Sequence, residues 1–270
     1  MTIEDDQMTG DTQPMWALAA GCVPDAMPWD IPRIAQKAGF LSSGMWVEPA
    51  TTWSSDALSK TRLSLAETGI SLVDVEVIWL EGGSQASDEH KLIVDVGLEL
   101  GARNVLVVSR HKDLAASVDQ FRDICERAGD GIRICLEFGE FTNIKNLDAA
   151  RSFVESVNHP TAGILIDLMH INRAGNSLPD LDSSLFPYLQ ACDFYQDSSE
   201  MTGMDYITAA VDGRCCLGEG EARQKDLEQI CQSGKDVSLE IRSKDLRDMF
   251  PDPFARGEEI FDRCSRDKFQ

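Results

Sequence analysis

Three acidic residues close three runs of mostly apolar side chains. Ile132-Arg-Ile-Cys-Leu-Glu137, Gly163-Ile-Leu-Ile-Asp167 and Val237-Ser-Leu-Glu240 each end on a carboxylate. A carboxylate placed after apolar residues is costly to bury unless it is hydrogen-bonded, protonated or bound to a cation. Three of them brought to one place repel one another. A divalent metal relieves that repulsion most simply, and carboxylate oxygens suit Mn2+ or Mg2+. The same groups can move protons. A metal-polarised carbonyl acidifies the neighbouring C–H, and Glu137 and Glu240 would serve as general base and acid on its two sides. His170 stands three residues beyond Asp167, a position that suits substrate contact or a purely structural bond. Arg173, Arg214 and Arg242 are candidate cations for a substrate carboxylate or phosphate. Trp79, Met169, Phe194 and Tyr195 either line a pocket more apolar than a plain sugar needs or belong to the core.

Such residues need a scaffold that brings strand ends together. Short apolar runs alternate with amphipathic stretches along the chain, the pattern of α/β folding around a parallel sheet. Eight runs read as strands, at 16–23, 44–47, 70–80, 104–109, 132–138, 163–168, 191–196 and 237–242. Helical spacing separates them. Leu92, Val96 and Leu100 share a face with Gly101 as the stop; Leu114, Val118, Phe121, Cys125 and Ala128 share another. Ala150, Phe153, Val154 and Val157 repeat the pattern. The repeat of about thirty residues is one βα unit, and eight units in this length fit a closed barrel better than an open sheet. The expected fold is a single (β/α)8 TIM barrel over residues 14–270. No G-x-G-x-x-G follows the first strand, so a dinucleotide-binding sheet has no support. Residues 1–13 are expected to be a disordered extension. Residues 197–222 read as an irregular loop with four glycines, the wall or lid of a pocket.

Charge narrows the partners. The 270 residues carry 46 acidic against 25 basic side chains, a formal net charge of -21, and no basic stripe. That field repels phosphate backbones and anionic membranes. No apolar run is long enough for a membrane span, and the acidic N-terminus is unlike a secretory leader. The eight cysteines show no zinc-binding spacing and read as reduced thiols in a cytoplasmic protein. The expected partner is a small-molecule substrate, with no nucleic acid and no membrane; a homodimer is left open.

The segment Asp167-Leu-Met-His170-Ile-Asn-Arg173-Ala-Gly175 resembles the sixth-strand motif of the sugar phosphate isomerase/epimerase group of xylose-isomerase-like TIM barrels. Leu136-Glu137-Phe138 and Leu239-Glu240-Ile241 resemble its fifth and eighth strand ends. Arg214-Cys-Cys-Leu-Gly218-Glu-Gly220-Glu221 is similar to its R-x-x-x-G-x-G-[DE] segment. Val73-Asp-Val-Glu76 is similar to the third strand of an inosose-dehydratase-like subgroup. The resemblance implies an isomerase, epimerase or dehydratase with a metal on Glu137, Asp167, Glu240 and a His or Gln of strand seven. It places Glu76, Trp79, Arg173, Phe194 and Arg214 around the substrate. Read with Asp197 closing the family's [HQ]-x-x-D pattern, strand seven puts Phe194 at the ligand position, where no metal can bind. Gln196 or Asp193 then becomes the substitute ligand after a local shift of register. A metal-free lyase or isomerase, or a binding barrel that has lost its metal, follows if no substitute serves. The superfamily's endonucleases for abasic DNA are richer in histidine and basic surface than this chain, which has four histidines.

Overall fold

Parallel strands separated by helices form a nearly closed barrel, as the alternation predicts. The structure, a computed structural model, describes residues 15–196 and 201–264. The expected N-terminal extension and Asp197 lie outside them. The strands are β1 (Trp16–Leu18), β2 (Ser42–Ser43), β3 in two pieces (Ser71–Leu72 and Asp74–Leu80), β4 (Asn104–Ser109), β5 (Arg133–Glu137), β6 (Ala162–Asp167), β7 (Tyr188–Ala191) and β8 (Asp236–Leu239). Each pairs in parallel with its sequence neighbour, and β8 pairs with β1. The first piece of β3 pairs with β2 and the second with β4, so Val73 carries the chain across the closure.

Local chemistry sets the helix ends. Ser54, Asp113 and Asn146 side chains accept backbone N–H groups in the first turns of helices Ser55–Thr68, Leu114–Ala128 and Leu147–Val157. Gly101 ends helix Asp88–Leu100 at φ 72, the left-handed stop its sequence position predicts. Two helix faces differ from expectation. Helix Asp88–Leu100 buries Ile93, Val94 and Val96 and leaves Leu92 exposed, and Leu114 is exposed at the start of its helix. The remaining residues of that second face are buried, and Phe121 meets Phe153 edge-on at 5.4 Å. Truncating Phe121 to Ala in such packing costs about 3–5 kcal/mol.

The inner layer explains where chemistry can sit. Ala17, Val73, Leu106, Val108, Cys135, Leu165 and Tyr188 fill the barrel interior as one buried cluster. Side chains two apart on a strand share a face. Glu137 follows Cys135, Asp167 follows Leu165 and Gln190 follows Tyr188 by that step. Gln190 is paired in register with Asp167 and Ser238, and Glu240 lies two past Ser238. The apolar filling thus gives way to polar groups at the C-terminal mouth.

Strand seven departs from the expected 191–196. It is Tyr188–Ala191, and Asp193–Phe194 belongs to a separate antiparallel pair with Arg214–Cys215. The expected loop at 197–222 holds helix Gly203–Asp212. Among the described residues no helix is long and apolar enough to cross a membrane, and all eight cysteines are free thiols.

Candidate active site

Asp167 ends β6, and its Oδ1 accepts the His170 backbone N–H at 3.0 Å, starting the short helix Leu168–Arg173. That turn swings the His170 ring back to the mouth, where Nε2 lies 3.5 Å from Glu137 Oε1. One ligand atom each of Glu137, Asp167 and His170 lie within 4.8 Å of one another, all buried. Arg214 enters from the far side of the mouth. Its Nη1 donates to Asp167 Oδ2 at 2.7 Å, and Nη2 pairs with Glu240 Oε2 at 2.8 Å and approaches His170 Nε2 to 3.4 Å. Nε donates to Ala210 O at 2.9 Å, so helix Gly203–Asp212 holds the guanidinium from behind. Arg214 is 2% exposed. Glu219 and Glu221, close to Arg214 in sequence, are engaged elsewhere, by Arg263 and by the Gln196 backbone N–H.

Electrostatics splits these groups. Burial pushes the Asp167 carboxyl up, but the Arg214 charge and its hydrogen bonds win and hold it at about 2. Burial raises Glu137 well above the usual carboxylate range, and the nearby Glu240 and Asp167 charges add to that. Glu240 is raised by burial, with Arg214 opposing. Burial lowers His170 to about 4, so the ring is neutral near pH 7. A carboxyl with a raised pKa beside an ionised one divides the roles of proton carrier and fixed charge.

Asp74 and Glu76 on β3 extend the cluster inward. Burial raises Glu76 well above its ordinary value, with Asp74 and Glu240 adding to it, and burial raises Asp74 to about 7. Gly44 is what lets them in: a Cβ there would stand 2.6 Å from Asp74 Oδ1 and 3.2 Å from Glu76 Oε1. Above these groups opens a cavity of about 260 Å3, small-molecule sized, lined by Glu76, Glu137, Glu240, His170, Arg214, Trp79 and others.

The family described as xylose isomerase-like TIM barrel matches residues 32–232. The chain belongs to that family. Solved structures of similar fold include a xylose isomerase-like TIM barrel/4-hydroxyphenylpyruvate dioxygenase fusion protein. It has a TM-score of 0.74 at 20% identity over 92% of this chain, which spans only 42% of the fusion. The IolI protein with a bound zinc atom has a TM-score of 0.72 at 14% identity, covering 93% of this chain and 98% of that one. The probable 3-DHS dehydratase AsbF of petrobactin synthesis in Bacillus anthracis has 0.69 at 17%, covering 92% and 99%. At these identities the likeness is one of fold. No curated protein matches the sequence.

Within the family barrel, the expected residues divide. Glu76, Trp79, Glu137, His170, Arg214 and Glu240 line the cavity, and Asp167 lies behind Arg214. Phe194 is buried outside the cavity with the Arg173 guanidinium 5.6 Å from its ring, so neither of these faces a substrate there. Gln196 is exposed beyond the end of β7, where its backbone N–H bonds to Glu221. Asp193 is buried, and its carboxylate accepts the Gly218 and Ala222 N–H groups at 3.0 and 2.8 Å. Gly220 permits the approach, since a Cβ there would lie 2.5 Å from Asp193 Oδ1. Three residues before Asp193, Gln190 is fully buried, with neither amide atom hydrogen-bonded. The same spacing, Gln190-Ala-Cys-Asp193, was the available signal.

These donors fit a divalent cation. Two carboxylates and an imidazole converge within a few ångströms, an unpartnered amide stands in register beside Asp167, and oxygen and nitrogen donors of this kind suit Mg2+, Mn2+ or Zn2+.

Proposed function

We propose that the chain is an isomerase, epimerase or dehydratase that removes a proton next to the carbonyl of a small hydroxy-carbonyl compound. The observation that carries this is the convergence of Glu137, His170, Arg214 and Glu240 on one small cavity, with Asp167 paired behind Arg214. Glu137, Asp167, Gln190 and Glu240 are the residues we assign to a divalent cation, which supplies Lewis acidity to a bound carbonyl. The zinc of the IolI structure adds Zn2+ to the Mn2+ and Mg2+ expected from the carboxylates. Glu137 carries the proton to or from the substrate carbon, since its carboxyl lines the cavity where the substrate would sit. With His170 neutral, its Nε2 lone pair accepts from Arg214 at 3.4 Å, and Glu137 Oε1 stands 3.5 Å from the same nitrogen. Glu240, raised less, completes the acid–base pair. Return of the proton to the opposite face gives an epimer, return to the next carbon an isomer, and loss of a β-hydroxyl a dehydration product. The dehydratase assignment of AsbF supports the last as one of the three.

One observation favours a second reading, a metal-free lyase or isomerase. Arg214 already neutralises Asp167 and Glu240 and could itself polarise a carbonyl. Metal analysis of the purified protein, turnover with and without EDTA, and solvent-deuterium uptake into keto-polyols and keto-acids separate the readings. The expected result is a stoichiometric divalent ion, loss of activity on chelation, and about a 100- to 10,000-fold loss in well-folded Glu137→Gln. Activity unaffected by EDTA in metal-free protein moves the assignment to Arg214, and near-wild-type exchange in Glu137→Gln removes the base.

A further inference from the structure

The cavity has a second half that the proton-transfer chemistry does not use. Trp46 follows β2, Trp79 lies on β3, Arg110 follows β4 and Arg242 follows β8, and all four line the same space as Glu137. They form two stacks: the Arg110 guanidinium is 3.9 Å from the Trp79 ring centroid, and that of Arg242 is 5.3 Å from Trp46. Among the described residues neither guanidinium is paired with a carboxylate, in a protein where acids outnumber bases 46 to 25. Arg242 is also held in place. Its stem packs directly on Gly21, where a Cβ would stand 2.6 Å from Arg242 Cδ. Its Nε–H is buried without a hydrogen-bond acceptor. Two guanidiniums with no carboxylate against them, on the wall of one cavity and each braced on an indole, make a site that an anion completes.

We propose that this half of the mouth is a carboxylate subsite: Arg242, assisted by Arg110, receives the carboxylate of a flat or cyclic hydroxy-carbonyl acid, whose body lies between Trp46 and Trp79. The inference rests on the proposed function only in sharing its cavity. The charge wanted is a single negative one. Glu48, Glu76, Glu137 and Glu240 also face the space, so a phosphate dianion meets more repulsion than a carboxylate does. Trp46 and Trp79 supply faces for a ring, and a stacked guanidinium keeps its N–H edge for the anion while its plane rests on the indole.

Tryptophan fluorescence of the metal-free protein in EDTA tests this without asking anything of catalysis. Titration compares benzoate, its neutral isostere benzamide, and phenyl phosphate, in wild type, Arg110→Met, Arg242→Met, Arg242→Lys and Glu137→Gln. The expected result is benzoate binding about tenfold or more tighter than benzamide. That preference should be lost in Arg242→Met, reduced in Arg110→Met, partly kept in Arg242→Lys and kept or strengthened in Glu137→Gln, where one facing acid is gone. Arg110 is exposed, so its variant reports recognition even if Arg242→Met fails to fold. Equal affinities for benzoate and benzamide, binding of neither, or a preference that survives both Met variants overturns the subsite. Tighter binding of phenyl phosphate overturns its assignment to a carboxylate. Loss of the base reading shows only as turnover in Glu137→Gln, so the two failures are distinct.

Discussion

Replacing Arg214 by Met tests how the carboxylate centre is held together. Met fills most of the stem's volume and removes the charge, leaving Asp167 1% and Glu240 9% exposed at their side chains with no cation against them. Removing one partner of a buried ion pair costs about 3–5 kcal/mol. For a domain of this size each kcal/mol lowers the melting temperature by about 2–4 °C, so a fall of roughly 10 °C is expected near pH 7. The loss has a definite pH dependence. In the wild type Asp167 is depressed to about 2, so its ionisation stabilises the fold above its unfolded value near 4. That contribution, about 2 kcal/mol, disappears as the pH falls toward 2. In the variant the same carboxyl loses its counter-charge and is raised by burial, so its ionisation opposes folding as the pH rises. The gap between the two proteins therefore widens from pH 4 to pH 7. Mn2+ at about 100 times its dissociation constant should return about 2.7 kcal/mol to the variant, and less to the wild type, where Arg214 occupies the carboxylates. Calorimetry at three pH values with EDTA or Mn2+ reads all of this. A variant that melts within 2 °C of wild type at pH 7, or equal Mn2+ shifts in both proteins, refutes the argument.

Two further changes probe the groups around that centre. Asp74 is fully buried and raised to about 7; the Tyr188 hydroxyl beside it pulls the carboxyl down without making a well-formed hydrogen bond. A raised carboxyl supports the fold below its unfolded pKa and loses that support as the pH rises through 7, so Asp74→Asn should be the more stable protein at pH 8, by a few kcal/mol at most, and should flatten the profile; urea denaturation at pH 5 and pH 8 with no difference in slope between the proteins would count against it. Gln190→Leu removes an unsatisfied buried amide, so the metal-free protein should melt no lower than wild type while calorimetric Mn2+ affinity falls tenfold or more; unchanged affinity takes Gln190 out of the ligand set.

The parts of this barrel that could be read from residues are those where local pattern and burial agree. Asn104–Ser109 is read to its ends because six residues of uniform strand character stand between two arginines. Glu137, Asp167 and Glu240 are legible because a carboxylate after apolar residues conflicts with burial, and such conflicts collect at functional sites. β7 is misread for the same reason. Its inward residues are Tyr188 and Gln190, so the strand looks polar, while Cys192 to Tyr195 look like a barrel strand and instead supply Asp193–Phe194 to a separate antiparallel pair. Sequence spacing gives no sign of Arg214's real partners, which lie 47 and 26 residues away and meet it only once β6 and β8 are in place. Asp74 leaves no signal either. Its neighbour Val73 crosses the closure, and the side chain turns inward only because Gly44 leaves room.

Arg214 also decides how the site relates to folding. A barrel whose mouth gathers Glu137, Asp167 and Glu240 would, without a cation, close against its own repulsion, and metal binding would then become part of the folding free energy. This chain supplies the cation itself, as the Arg214 guanidinium. The Arg214 N–H bonds to Arg242 O at 3.1 Å, Gly213 bridges to Ser243, and Nε holds the last turn of helix Gly203–Asp212 through Ala210 O. Docking of the guanidinium therefore ties β6, β8 and that helix together whether or not a metal is present. A divalent ion drawn to Asp167 and Glu240 competes for the same oxygens, and each pairing it takes from Arg214 also loosens the helix that walls the cavity. A bound metal would thus be coupled to the seating of the wall through one side chain, with a magnitude bounded by the few kcal/mol that the two ion pairs contribute.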